Sequence, residues 1–423
     1  QNPRRPTSPA GLPTTARASM TMTRGETRGF SRTKCVRFLF TEGTEGTGSP
    51  EAGAGSAPGA KAIRAQLRGY ASRADAQGLL DYAALQTDHM SCANLSMAMH
   101  KLATLGGKSA VAMRLDDCRF AALHGRAQAA LVRQLAEAAM PGAEVMPLCW
   151  ATLAAAYAAL RSPGFDIRPI FDVIAELSVP HLDAFSEAEF AILLGAFAKA
   201  RVPNAELFRA ARAYATARSA SLSRSQISVV VWALVTAGES EAGTLSELTE
   251  RFARRGEAER ADPADVSKLM WGIATADLRP DAPVLQLLGD GASELVHAFR
   301  AQDLSTVAWA FSQLGVCHDR IFAAVASRLS QEPLLLQQMP APCLANLLWA
   351  LHRQKLLGSA VAVQLTRAML GVAPRCAGLL NEFRSKELVC ICRVLAEPDL
   401  RHGEGAAVFW EKMAAHASAV RGA

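Results

Sequence analysis

Aromatic residues make up only 6% of the 423-residue chain, and no uninterrupted apolar run approaches the length that spans a bilayer. The run from Ile227 to Gly238 is too short, so membrane insertion is not expected. Nine cysteines, an odd number without regular pairing, argue against a disulfide framework and for a reduced compartment. There is no CxxC pair to complete a zinc site; Cys390 and Cys392, spaced C-x-C in an apolar helix, read as buried packing. No metal or cofactor is therefore expected.

Charge of one sign is also scarce where a nucleic-acid reading would want it. The formal net charge is +6, but residues 1–40 hold Arg4, Arg5, Arg17, Arg24, Arg28, Arg32, Lys34 and Arg37 against Glu26 alone, a local +7. The remainder carries −1, so bulk charge gives no support to RNA binding. Residues 1–60 are rich in Arg, Ser, Thr, Gly and Pro and end in a Gly/Ala/Ser tract, the composition of an organellar transit segment followed by a linker. Residues 61–423 form the structural part.

What is abundant there is Ala, in company with a repeat. Leu304-Ser305-Thr306-Val307-Ala308-Trp309-Ala310-Phe311 has close copies around Trp232, Trp271 and Trp349, spaced by 39, 38 and 40 residues. Weaker copies place Met97, Ala155, Gly195 and Cys390 in the Trp slot, with one interval of 58 residues between Met97 and Ala155 that holds an insertion. A fixed period of 37 to 41 residues signals stacked supersecondary units, here eight. Nine positions before the slot stand Asp88, Ser186, Ser223, Asp262 and Asn381, favoured helix N-caps, with Met146, Arg300 and Pro340 as exceptions. Ser186/Glu189 and Ser223/Gln226 complete capping boxes, and Pro263 follows Asp262 at a first helical position. Leu304, Val307, Ala308, Phe311 and Leu314 recur at helical steps, so each slot lies on a helix. Second helices are expected over Arg168–Leu177, Ala205–Ala217 and Arg320–Leu329, a leading pair over Ala62–Ala71 and Ala74–Leu85, and a terminal cap over Ala406–Val420. The fold class is all-α: a right-handed α-α solenoid of about eight helix-turn-helix repeats.

Constellations for catalysis are scarce. Gly107-Lys108-Ser109 resembles the tail of a phosphate-binding loop, but the glycine that loop needs would fall at Leu102, and a turn is the better reading. Cys317 and His318 are adjacent and cannot face each other as nucleophile and base. His100 and His352 share a column three residues after the slot, a structural or surface position. The Trps could stack on bases, but their Val, Leu, Ala and Met neighbours favour core packing.

Two features remain as RNA-binding candidates. One is a basic run, Lys199, Arg201, Arg209, Arg212, Arg218 and Arg224 with Glu206 as its only acid, which reads equally as a solvated face. The other is the column four residues after the slot: Lys101, Ala159, Lys199, Thr236, Thr275, Gln313, Arg353 and Val394. An array that reads one nucleotide per unit needs varied polar side chains in one such column.

The stretches Leu304–Phe311 and Ala345-Asn346-Leu347-Leu348-Trp349-Ala350-Leu351 resemble the repeats of organellar RNA-binding families. These are the octotricopeptide and heptatricopeptide repeat proteins, the FAST-kinase-like proteins, and the helical-repeat subunits of the mitochondrial RNA-editing substrate-binding complex. The resemblance covers about residues 88–420. It implies a solenoid of the mitochondrial matrix, alternatively of plastids, that binds organellar mRNA or rRNA within a ribonucleoprotein and acts in processing, stability, editing or ribosome assembly. Many members end in a RAP domain similar to nuclease folds; no β-rich tail follows Trp410, and no enzymatic activity is expected. The competing expectation is a protein scaffold of armadillo-like type, suited to a near-neutral array with Ala/Leu-rich grooves.

Overall fold

The computed structural model describes residues 59–106, 117–138, 144–160, 165–254, 261–332, 339–355 and 385–396, with isolated positions at 140, 334–335, 410–411 and 413–414. Among these the chain forms sixteen α-helices and no strand, an all-α helical-repeat solenoid. The basic N-terminal segment, Gly107-Lys108-Ser109, Asn381 and most of Ala406–Val420 lie outside the described residues.

A leading pair, α1 (Ala60–Ser72) and α2 (Ala76–Leu85), opens the array. The first helices of the units are α3 (Cys92–Gly106), α5 (Pro147–Leu160), α7 (Glu187–Ala200), α9 (Arg224–Ala237), α11 (Pro263–Thr275), α13 (Ala301–Gln313), α15 (Ala341–Arg353) and α16 (Ser385–Leu395). Each carries one slot residue. The second helices are α4 (Cys118–Ala138), α6 (Arg168–Ser178), α8 (Ala205–Ala217), α10 (Ala242–Arg254), α12 (Ala282–Glu294) and α14 (Asp319–Gln331).

Local chemistry sets the helix ends. In the Ser186 box the Glu189 carboxylate accepts from the Ser186 N–H at 2.8 Å and the Ser186 hydroxyl accepts from the Glu189 N–H at 3.4 Å. Ser223 and Gln226 do the same at 2.7 and 3.3 Å. Asp262 accepts from the Ala264 N–H at 3.2 Å, with Pro263 at the first helical position. Asp88 is not a cap: it lies in a 3₁₀ turn, Thr87–His89, and α3 starts later, with the Ser91 hydroxyl accepting from the Asn94 N–H at 3.3 Å. A helix start is fixed by whichever side chain reaches an orphan amide, and Ser91 does. At Arg300, an exception in the cap column, the Asp303 carboxylate instead accepts from the Arg300 N–H at 3.4 Å.

The other ends repeat too. Six residues after the slot the backbone turns left-handed, at Arg201 (φ 56), Gly238 (φ 88), Asp277 (φ 53), Gly315 (φ 71) and Lys355 (φ 58). At the first four, the next N–H donates to the carbonyl five residues back, as in Val202 to Phe197 at 3.2 Å and Val316 to Phe311 at 3.0 Å, which satisfies orphan carbonyls.

First helices pack on first helices and second on second, more extensively in the first layer. A first helix is flanked by its copies and covered by the second helices, and it is buried almost all round: in α13 every residue from Asp303 to Ser312 is buried. Second helices bury one stripe only, as α6 does with Ile170, Phe171, Ile174, Ala175 and Leu177. Close approach within the first layer needs small residues. A Cβ on Gly272 would lie 2.8 Å from Val231 Cγ1, and one on Gly195 3.0 Å from Val229 Cγ1.

The first layer also buries a polar ladder. The Ser228 hydroxyl donates to Asp265 Oδ1 at 3.0 Å, one unit on, and Lys268 Nζ meets the same oxygen at 2.8 Å. Ser267 and Asp303 repeat the contact in the next unit, where burial raises the Asp303 carboxyl despite the nearby Arg300 guanidinium. Buried polar groups are costly unless partnered, so these pairs tie consecutive units to one register.

Candidate nucleic-acid interface

On three of the first helices an exposed stripe is made of the residues three before the slot, at the slot and four after it, whereas in α3 and α13 the first two of these are buried. In α7 these are Ile192, Gly195 and Lys199, in α9 Val229, Trp232 and Thr236, and in α15 Asn346, Trp349 and Arg353, all half-buried or exposed. Trp271 and Trp309 are 6% and 4% exposed and pack in the core, whereas Trp232 and Trp349 are half-buried. The Trp349 face already holds a cation, with the Arg353 guanidinium 5.6 Å from the ring centroid.

The column four after the slot lies at the C-terminal ends of the first helices, so side-by-side packing lines it up along one edge of the array. Lys101, Lys199, Thr275 and Gln313 are half-buried there, and Thr236 and Arg353 are exposed. Ala159 is half-buried and Val394 buried, which interrupts the polar row. The Thr236 hydroxyl donates to the Trp232 carbonyl at 2.7 Å and so presents lone pairs outward. Thr275 Oγ1 is buried without a partner. Lys101 is depressed by burial and then by the Arg68 guanidinium of α1.

The basic run, continuous in sequence, is divided by the fold. Lys199 and Arg201 sit at the C-terminal edge with the column. Arg209 is exposed on α8, and Arg212, half-buried on the same helix, pairs with Glu239 at 3.7 Å. Arg218 lies at the opposite edge, 3.4 Å from Glu187 at the start of α7 and 5.4 Å from the Tyr214 ring. Arg224, at the start of α9, donates from Nε to the Phe252 carbonyl at 2.9 Å and so caps the end of α10. The two edges are separated by the length of a 14-residue helix, roughly 20 Å. Two further cations, Arg68 and Lys355, share the column's edge but belong to neither sequence feature; their signal is positional and needs the stack to be seen.

The adjacent Cys317 and His318 have structural partners. Cys317 Sγ donates to Gln354 Oε1 at 2.9 Å, and His318 accepts from the Ile321 N–H as the N-cap of α14. No group of three or more His, Cys, Asp or Glu among the described residues could hold a metal ion, and none of their helices is long and apolar enough to cross a membrane.

A repeat array with a polar edge column belongs to the helical-repeat proteins, whose stacked units form extended surfaces. The family model of the RNA-editing substrate-binding complex 6 protein matches residues 151–372, and the chain belongs to that family. Of the families its motifs resemble, this is the RNA-editing one. No curated protein matches the chain.

Proposed function

We propose that the chain is a non-catalytic RNA-binding subunit of an RNA-editing substrate-binding assembly in the mitochondrial matrix. The family match carries the reading: it spans the units of Gly195 through Trp349, and hence Lys199, Thr236, Thr275, Gln313 and Arg353 of the edge column. Phosphate contacts supply salt-dependent affinity, and the uncharged column residues supply base preference. Within the basic run, Arg209, exposed on α8, offers more than Arg212, Arg218 and Arg224, whose heads are engaged with Glu239, Glu187 and the Phe252 carbonyl.

A second reading, a protein-binding scaffold, draws on the half-buried apolar residues Ile192, Val229 and Trp232 on the first-layer face. Crosslinking the chain to RNA in purified mitochondria, followed by sequencing, separates the two. RNA binding is expected to enrich a limited set of mitochondrial transcripts or rRNA segments. Recovery of protein crosslinks with no RNA above background would replace it with the scaffold reading.

A further inference from the structure

Six of the cations at the C-terminal edge of the first layer fall in three pairs. The first pair is Arg68 of α1 with Lys101 of α3, close enough that the guanidinium helps to hold the Lys101 ammonium down. Burial and then Lys101 push the neighbouring His100 down to about 4. The second pair is Lys199, in the last turn of α7, with Arg201 just beyond it. The third is Arg353, ending α15, with Lys355 just beyond it.

The second and third pairs occupy the same repeat positions, four and six after the slot, four units apart. The units between them have Thr236 and Gly238, Thr275 and Asp277, and Gln313 and Gly315 at those positions. The sixth position is left-handed in all five units, and two of the five use glycine, the residue that suits that backbone. Arg201 and Lys355 place long cations there instead. The edge also carries acids: Asp166 pairs with Arg168 at 3.0 Å and Asp277 with Arg279 at 3.7 Å, and Asp166 and Asp172 line the hollow that holds Arg201.

We infer that this edge is a phosphate rail, in which Arg68–Lys101, Lys199–Arg201 and Arg353–Lys355 bind the backbone of one single-stranded RNA that crosses the ends of the first helices. Thr236, Thr275 and Gln313 then lie beside the nucleotides between the second and third pairs. The inference rests on the RNA-binding reading and adds the path and polarity-blind anchoring of the strand. With helices about 8–10 Å apart, the second and third pairs are roughly 32–40 Å apart, so the strand must be extended rather than looped into one pocket. Three pairs on one strand act as linked sites, and each phosphate neutralised releases condensed counterions.

The test measures affinity of the full chain for an oligouridine of about 20 nucleotides across a salt series, since the backbone contribution is independent of sequence. Three double variants, R68Q/K101Q, K199Q/R201Q and R353Q/K355Q, are compared with R251Q/R254Q. That control removes the same charge from α10 in the second layer, where each Arg pairs with an acid four residues earlier. Each rail variant is expected to weaken binding about tenfold and to lower the salt slope by about 1.4, at roughly 0.7 per phosphate, while the control stays within about twofold of wild type. Circular dichroism melting checks folding, and K355G, which suits the left-handed backbone, serves as a rail variant that cannot lose affinity through strain. If the rail variants keep the wild-type slope, or lose no more affinity than the control, the rail is overturned and the RNA-binding reading stands. If wild type itself shows no salt-dependent binding, the RNA-binding reading falls and the rail with it.

Discussion

The two helical layers are built from the same residue types but manage charge in opposite ways. On α4 and α10 of the second layer, cations pair with acids one turn away on the same helix: Arg133 with Glu137 and Arg251 with Glu247 at 3.7 Å, and Arg254 with Glu250 at 3.6 Å, all well exposed. Such pairs leave the surface neutral and contribute little to stability. In the first layer, some charge is buried between units, as in Ser228–Asp265–Lys268, and the rest stands at the helix ends, as Glu187 and Arg224 do at one edge and Lys199 and Arg201 at the other. An array whose sum is close to zero can therefore still gather cations locally. Net charge alone does not report where cations stand on the surface.

The sharpest test of this contrast removes one acid from each layer. Asp265→Ala leaves the Lys268 ammonium and the Ser228 hydroxyl, both shielded from solvent, without the carboxylate they share, and is expected to cost about 3 kcal/mol or more. Glu250→Ala breaks only an exposed pair and is expected to cost less than about 0.5 kcal/mol. Denaturant melts of both variants check the difference; equal losses would mean that the buried ladder has no special role in joining the units.

Glycines divide the same way. Gly272 on α11 faces Val231 of the previous unit, and an added Cβ would press to 2.8 Å of its Cγ1. Gly291 on α12 has nothing within 4 Å of that position. Gly272→Ala is expected to destabilise by about 1–3 kcal/mol through overpacking, and Gly291→Ala to stabilise by about 0.5–1 kcal/mol through helix propensity. Thermal unfolding of the pair reads the sign directly. A stabilising Gly272→Ala would show that the first layer can spread to admit a methyl group.

How much of this the sequence carried depended on whether the signal was local. The helix pairs and their period were legible because the slot recurs and because Ser186–Glu189 and Ser223–Gln226 cap their own helices within four residues. Asp88 misled because two cap candidates stood close together, and the 3₁₀ turn at Thr87–His89 handed the role to Ser91. The ladder had a visible trace, Ser at positions 228, 267 and 305 and Asp at 265 and 303. Reading it needed the stacking offset that sets one unit's Ser against the next unit's Asp. The candidate interface was the least legible part. Residues 199–224 look like one patch in sequence, yet α8 carries Arg218 to the opposite edge from Arg201. Arg68, Lys199 and Lys355 are distant in sequence, and only the stack sets them on one edge.

The smallest expected effect separates stability from binding at a single residue. Lys355 holds φ 58, a conformation that costs an L-residue about 1 kcal/mol and a glycine little. Lys355→Gly is therefore expected to raise stability by about 0.5 kcal/mol, the gain being reduced by the greater freedom of glycine in the unfolded chain. Lys355→Gln removes the same charge but keeps the strain, so its stability should stay near that of wild type. If the edge cations serve the fold by complementing the carbonyl ends of the first helices, both variants lose stability, because the helix dipole at the end of α15 loses its counter-charge. If they serve a bound strand, both lose affinity for oligouridine to the same extent while their melting temperatures move apart. Melting and binding measured on the same two variants thus distinguish a cation that caps a helix from one that waits for phosphate.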